Sequence, residues 1–161
     1  MTDKYKELLD EGIFKIQDGK FNEAIEFINK SIQLKSDWEI SYFYRAVAYQ
    51  AMEKFDDAIL DYTKSLKINP KMIDAYYNRA KILLEQKENK TEDLNKIAKD
   101  LEIALSLDEK FIDALFAMAC VQKKLEKYKE SLFYLDKLLK LEPEAIHARA
   151  LKKLLLQKYL N

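Results

Sequence analysis

Chemistry at a protein site usually starts from an imidazole, a thiol, paired carboxylates or a glycine-rich loop, and this 161-residue chain is poor in all of them. His147 is the only imidazole and has no Ser or Cys beside it to activate. Cys120 is the only thiol and lies in the apolar stretch Ala117-Met118-Ala119-Cys120-Val121, the setting of a packed small side chain rather than of a nucleophile. One thiol and one imidazole cannot build a structural zinc site, and a single Cys cannot close an internal disulfide. Two glycines in the whole chain cannot form a phosphate-cradling loop. Carboxylates abound, 28 acidic against 28 basic groups, but they sit among lysines, as in Glu126-Lys127, which is the make-up of a solvated helix surface. No enzyme, no cofactor and no metal site is expected. The remaining chemistry is non-covalent: side chains on a shaped surface holding another polypeptide.

The elements that carry such a surface must be helices. The chain holds 23 Leu and 25 Lys but two Val, three Thr, two Gly and two Pro, which starves a sheet of its usual residues and of its turns. The balanced charge leaves no field to draw in nucleic acid or an anionic membrane. The last segment, 112–161, is mildly positive with ten basic and six acidic groups, and its cluster Lys123, Lys124, Lys127 and Lys129 reads as solvated surface. No apolar run approaches the roughly twenty residues of a membrane-spanning helix. The N-terminal Met-Thr-Asp-Lys-Tyr-Lys-Glu lacks an apolar signal core, so a cytoplasmic chain is expected. On that reading the sequons Asn29-Lys30-Ser31 and Asn89-Lys90-Thr91 are chance matches.

Self-similarity gives the organisation. Ala58-Ile-Leu-Asp-Tyr-Thr-Lys-Ser-Leu-Lys-Ile-Asn-Pro70 lies over Ala24-Ile-Glu-Phe-Ile-Asn-Lys-Ser-Ile-Gln-Leu-Lys-Ser36 at a shift of 34 residues, and the phrase returns at 97–109 and 131–143. Each copy follows a second amphipathic stretch, at 5–17, 39–52, 73–86 and 112–125. A pair of antiparallel helices leaves one apolar face uncovered, and stacking the next pair covers it. Small residues mark the close approaches: Gly12, Ala46, Ala80 and Ala119 in the first helices, Ala24 and Ala58 in the second. Phe21, Phe55 and Tyr128 plug the elbows, and Pro70 and Pro143 stop the second helices.

With these residues in place the chain resembles the tetratricopeptide repeat (TPR) family, whose period is 34. Repeat 2 matches most fully, with Tyr42, Arg45, Ala46, Tyr49, Phe55, Ala58, Tyr62, Ser65 and Pro70, and the other three units keep parts of the same pattern. The resemblance implies an all-α, right-handed α-solenoid of four helix pairs plus a C-terminal capping helix, in a single domain over 1–161. The repeats are placed at 5–38, 39–72, 73–111 with a five-residue insertion, and 112–145, with the cap at 144–160. The insertion, near 86–93, is expected to lengthen a solvent-facing turn, with the Thr91 hydroxyl capping the helix that follows. The cap is expected to pack through Ala148, Leu151, Leu155 and Tyr159 and to end the stack with a polar outer surface.

In that family the first helices line a concave groove. Carrying its frame onto this chain puts Leu9, Ile13, Ile16, Phe43, Val47, Tyr77, Lys81, Phe116 and Cys120 on the inner wall, which is thereby largely apolar. The carboxylate clamp of chaperone-tail binders is disfavoured, since the clamp positions hold Leu9, Ile13, Tyr44, Asp74 and Asn78 and lack its cations. The implied function is that of a protein-binding scaffold whose groove takes a peptide or amphipathic helix. The alternative is self-association, with the groove filled by the capping helix or by a second copy in a homodimer. Nucleic acid and membrane are not expected partners.

Overall fold

A computed structural model describes residues 3–85 and 90–159, and among them there are nine helices and no strand. The first helices of the pairs are α1 (Lys4–Gln17), α3 (Glu39–Ala51), α5 (Ile73–Glu85) and α7 (Ile112–Lys124). Their second helices are α2 (Phe21–Leu34), α4 (Phe55–Ile68), α6 (Thr91–Leu107) and α8 (Tyr128–Leu141), and α9 (Ile146–Tyr159) follows. The described turns within the first, second and fourth pairs share one device. Gly19, Glu53 and Glu126 all take positive φ, at 73°, 57° and 61°. In each case the next residue donates its backbone N–H five residues back, Lys20 to Lys15, Lys54 to Tyr49 and Lys127 to Gln122, at 2.8, 2.9 and 2.9 Å. This is the left-handed helix stop that glycine adopts most cheaply. Only the first copy has a glycine there.

The chain divides into two compact units, one up to Ile82 and the other from Leu83. In the first unit the small residues do the work expected of them. Ala24, Ala46 and Ala58 are fully buried, and a Cβ built on Gly12 would stand 2.6 Å from Ile28 Cγ1. Polar ties cross the helices as well. Arg45 on α3 donates through Nε and Nη2 to Asp61 on α4 at 2.6 and 2.8 Å, and through Nη1 to Asn29 on α2 at 2.6 Å. Ser31 on α2 donates to the Tyr5 carbonyl at 2.7 Å and lies 2.9 Å from the Ser41 hydroxyl on α3.

In the second unit an apolar cluster fastens the last helix. Leu115, Ala119, Leu135, Leu138, Ala148 and Leu155 form one buried cluster that joins α7, α8 and α9. Tyr159 stacks on Tyr128 with ring centroids 4.2 Å apart, so α9 is held along its length by the residues expected to hold it. Its outer side departs from the polar cap that was expected. Ile146 is 77% exposed and Leu156 41%, so the helix ends on a mixed apolar and basic face.

The described part of the insertion also departs from expectation. α6 starts six residues before Ile97, whereas α4 starts three before the equivalent Ala58, so part of the extra sequence has become helix rather than turn. Thr91 is the first helical residue, and Lys90 occupies the cap position without a side-chain cap. Acidic groups at Glu92 and Asp93 supply the favourable charge at this helix start instead. The expected loop itself, 86–89, lies outside the described residues.

Candidate functional site

The wall expected to bind is built on the first helices, whose other sides are fixed by the second helices. In the first unit Ile13, Ile16, Phe43, Val47 and Tyr77 are half-buried and Lys81 is exposed. Leu9 is only 2% exposed: it belongs to the core and has no surface to offer a ligand. Leu9 and the buried Gly12 share one α1 face, Ile13 lies to the side of it, and Ile16 lies on it in the last turn of the helix. Phe43 packs edge-on against Tyr44 and Tyr62, with centroids 5.4 and 5.6 Å away, which holds its ring in one orientation.

A polar spot interrupts this wall. The Tyr62 phenol, from α4, is fully buried and donates to Gln50 Oε1 on α3 at 2.8 Å. Burial pushes its pKa far up, while a hydrogen bond with Asn78 on α5 pulls the other way, so the phenol stays protonated and acts as a donor. The hydroxyl thereby pins two first helices, α3 and α5, through side chains that the sequence alone does not pair.

In the second unit Phe116 and Cys120 are half-buried on α7. His147, exposed at the start of α9, has its ring tilted at 50° to that of Phe116 with centroids 6.4 Å apart. Burial raises the Cys120 pKa, and the nearby Lys123 and Lys124 offset this only in part. The thiol is therefore a protonated, weakly nucleophilic group. Among the described residues no cluster of three His, Cys, Asp or Glu is arranged to hold a metal, and no helix is long and apolar enough to cross a membrane.

The clamp positions are equally informative. Leu9 is in the core, Asp74 is exposed, and Asn78 is engaged with Tyr62. Nothing at those positions offers a cation to a carboxylate.

Comparison with known proteins fits this geometry. The tetratricopeptide repeat pattern matches residues 40–72 and 112–144. The co-chaperone DNJ1 of Cryptococcus neoformans, a tetratricopeptide repeat and J domain-containing protein, is 32% identical over 71 residues, 44% of this chain and 14% of its own length. The chain thus spans only a small part of such relatives. Among solved structures, MamA superimposes with a TM-score of 0.86 at 18% identity, covering 98% of this chain and 83% of MamA. The first repeat domain of Spaghetti (RPAP3), solved with the HSP90 peptide SRMEEVD, gives 0.69 at 24% identity over 76% of this chain and 94% of that one. Both structures, at these identities, speak for the fold alone. Repeat pattern, relatives and fold agree, and the chain is a tetratricopeptide-repeat protein with an all-α solenoid fold.

Proposed function

We propose that the chain is a protein-interaction scaffold that binds an apolar peptide or amphipathic helix on the walls made by its first helices. The observation that carries this reading is the oriented Phe43 ring, held half-exposed by Tyr44 and Tyr62, with Ile13, Val47 and Tyr77 also half-buried in the first unit. Half-buried aromatics in a fixed setting are the usual anchors of such surfaces. Phe116 and Cys120 offer a similar, smaller surface in the second unit. The repeat bounds given above and the single-domain organisation are part of the same proposal. A structural neighbour was solved with an acidic HSP90 peptide, but this chain lacks the cations for such a tail, so an apolar ligand is the better match.

Selection of peptides from a displayed random library tests the reading. The wild type is expected to enrich peptides with two or more large apolar residues, whose binding falls at least about tenfold in Phe43→Glu, close to 1.4 kcal/mol. Lys81→Glu, at an exposed position that cannot disturb folding, should shift the charge preference of the selected peptides. No enriched peptide, or binding indifferent to both substitutions, overturns the proposal.

A further inference from the structure

The first and last helices in the chain, α1 and α9, carry faces of opposite character. Along α9 there are four cations, Arg149, Lys152, Lys153 and Lys158, and no carboxylate. With the C-terminal end of α8, this helix encloses an open groove of about 680 Å³ lined by Leu139, Pro143, Ala150 and Leu156, with Arg149, Lys152 and Lys153 among its walls. The repeat register explains why the groove is there. Ile146 lies 34 residues after Ile112, so α9 stands as the first helix of a further pair. Where α3 turns Tyr42 and Ala46, and α7 turns Leu115 and Ala119, toward a second helix, α9 presents Arg149 and Lys153. Two of the cations are engaged locally, Arg149 with Glu144 at 2.9 Å and Lys152 with Asp136 at 2.7 Å. Lys153 has no ion-pair partner among the described residues.

The outward side of α1 is the complement. Phe14 is 55% exposed, and helical spacing sets Glu7, Asp10, Glu11 and Asp18 around it on the same side. Glu7 pairs with Lys4 at 3.3 Å, and Asp18 lies 3.5 Å from Lys20, which leaves Asp10 and Glu11 as the least compensated charges of that face. One large apolar side chain ringed by carboxylates thus faces outward on one helix, and an apolar groove ringed by cations on another.

We propose that the α9 groove receives the α1 face of a second copy of this chain, head to tail, with Phe14 seated on Leu139, Pro143 and Leu156 and the carboxylates opposite Arg149 and Lys153. The contact is heterologous: each copy gives one face and keeps the other for a third copy, so assembly continues into a ring or an open filament. It uses neither Phe43 nor Phe116, and is separate from the surface proposed above. Charge complementarity across an exposed contact makes it salt-sensitive.

Sedimentation and light scattering from micromolar to millimolar protein, in low and high salt, test this directly. The wild type should gain mass with concentration beyond a dimer, and lose it in high salt. Phe14→Glu spoils the first face and Lys153→Glu with Leu156→Glu spoils the second. All three positions are surface-exposed, and circular dichroism confirms that each variant folds. Each variant alone should remain monomeric, and an equimolar mixture should form a heterodimer and nothing larger, because only one competent contact is left. Phe43→Glu should assemble like the wild type. A wild type that stays monomeric at millimolar concentration in low salt, a mass unaffected by the end substitutions, or a mixture that stays monomeric each overturns the proposal; the first leaves the groove to the helix of another protein.

Discussion

Asn29, Arg45 and Asp61 in the first unit and Glu102, Met118 and Tyr134 in the second occupy equivalent positions, each 73 residues apart, and are filled in opposite ways. Arg45 joins three helices through a bidentate ion pair and an amide, and Asp61 beside it raises the guanidinium pKa. At the second site Met118 is fully buried, and Tyr134 is half-buried, its phenol pKa raised by that burial and further by the Glu102 charge. The helix pair therefore does not require the ion pair for its geometry. What the ion pair adds is directional: a guanidinium fork accepts few placements of its partners, whereas an apolar contact tolerates many. Removing half of it is costly because a nearly buried carboxylate is left behind.

Substitutions read by two probes can break this comparison. Trp38, the only Trp, lies in the first unit, edge-on to Tyr5 at 4.7 Å, so its fluorescence follows that unit while circular dichroism follows the helices of both. Leu155→Ala removes a fully buried side chain from the cluster that fastens α9 and should cost about 4 kcal/mol in urea denaturation, with little change in the Trp38 transition. Arg45→Met should cost about 3 kcal/mol and move the Trp38 transition, and adding Asp61→Tyr should recover most of the loss, since the pair then copies the second unit. If the double variant is no better than the single, the two sites are not interchangeable and the comparison fails.

Smaller effects sharpen it. Ala46→Leu and Ala119→Leu each overpack a helix contact, for about 2 kcal/mol apiece, one seen by Trp38 and the other only by circular dichroism. Equal small effects at both would mean that the register is misassigned. Glu53→Gly and Glu126→Gly relieve a left-handed residue in each unit and should each gain about 1 kcal/mol in melting experiments. A loss at either site would show that the turn is held by more than backbone conformation.

Most of the helical framework was legible because its signals are local and repeated. The apolar period, the small residues at Ala24, Ala46 and Ala58 and the elbow aromatics each recur at a fixed spacing, so a chance match at one site is corrected by the others. Thr91 was misread for the opposite reason: a capping hydroxyl occurs once, and a helix that begins one residue earlier turns the cap into an ordinary first-turn residue. Leu9 was placed on the wall by a frame carried from elsewhere, and it lies in the core instead. The Arg45 network had a faint signal that went unused, since Asn29 and Arg45 are followed 34 residues later by Thr63 and Arg79, which hydrogen-bond at 2.9 Å.

The sequence by itself determined that this protein is helical and that its helices come in pairs of fixed period. These properties depend on composition and on neighbours within a turn or two of chain. Only the tertiary structure decided which faces of those helices remain open: that Tyr62 pins Gln50 and Asn78, and that α9 ends on an apolar groove edged with cations. Exposure depends on which other helix happens to cover a face, and that is set by contacts between residues far apart in the chain, which no local pattern records.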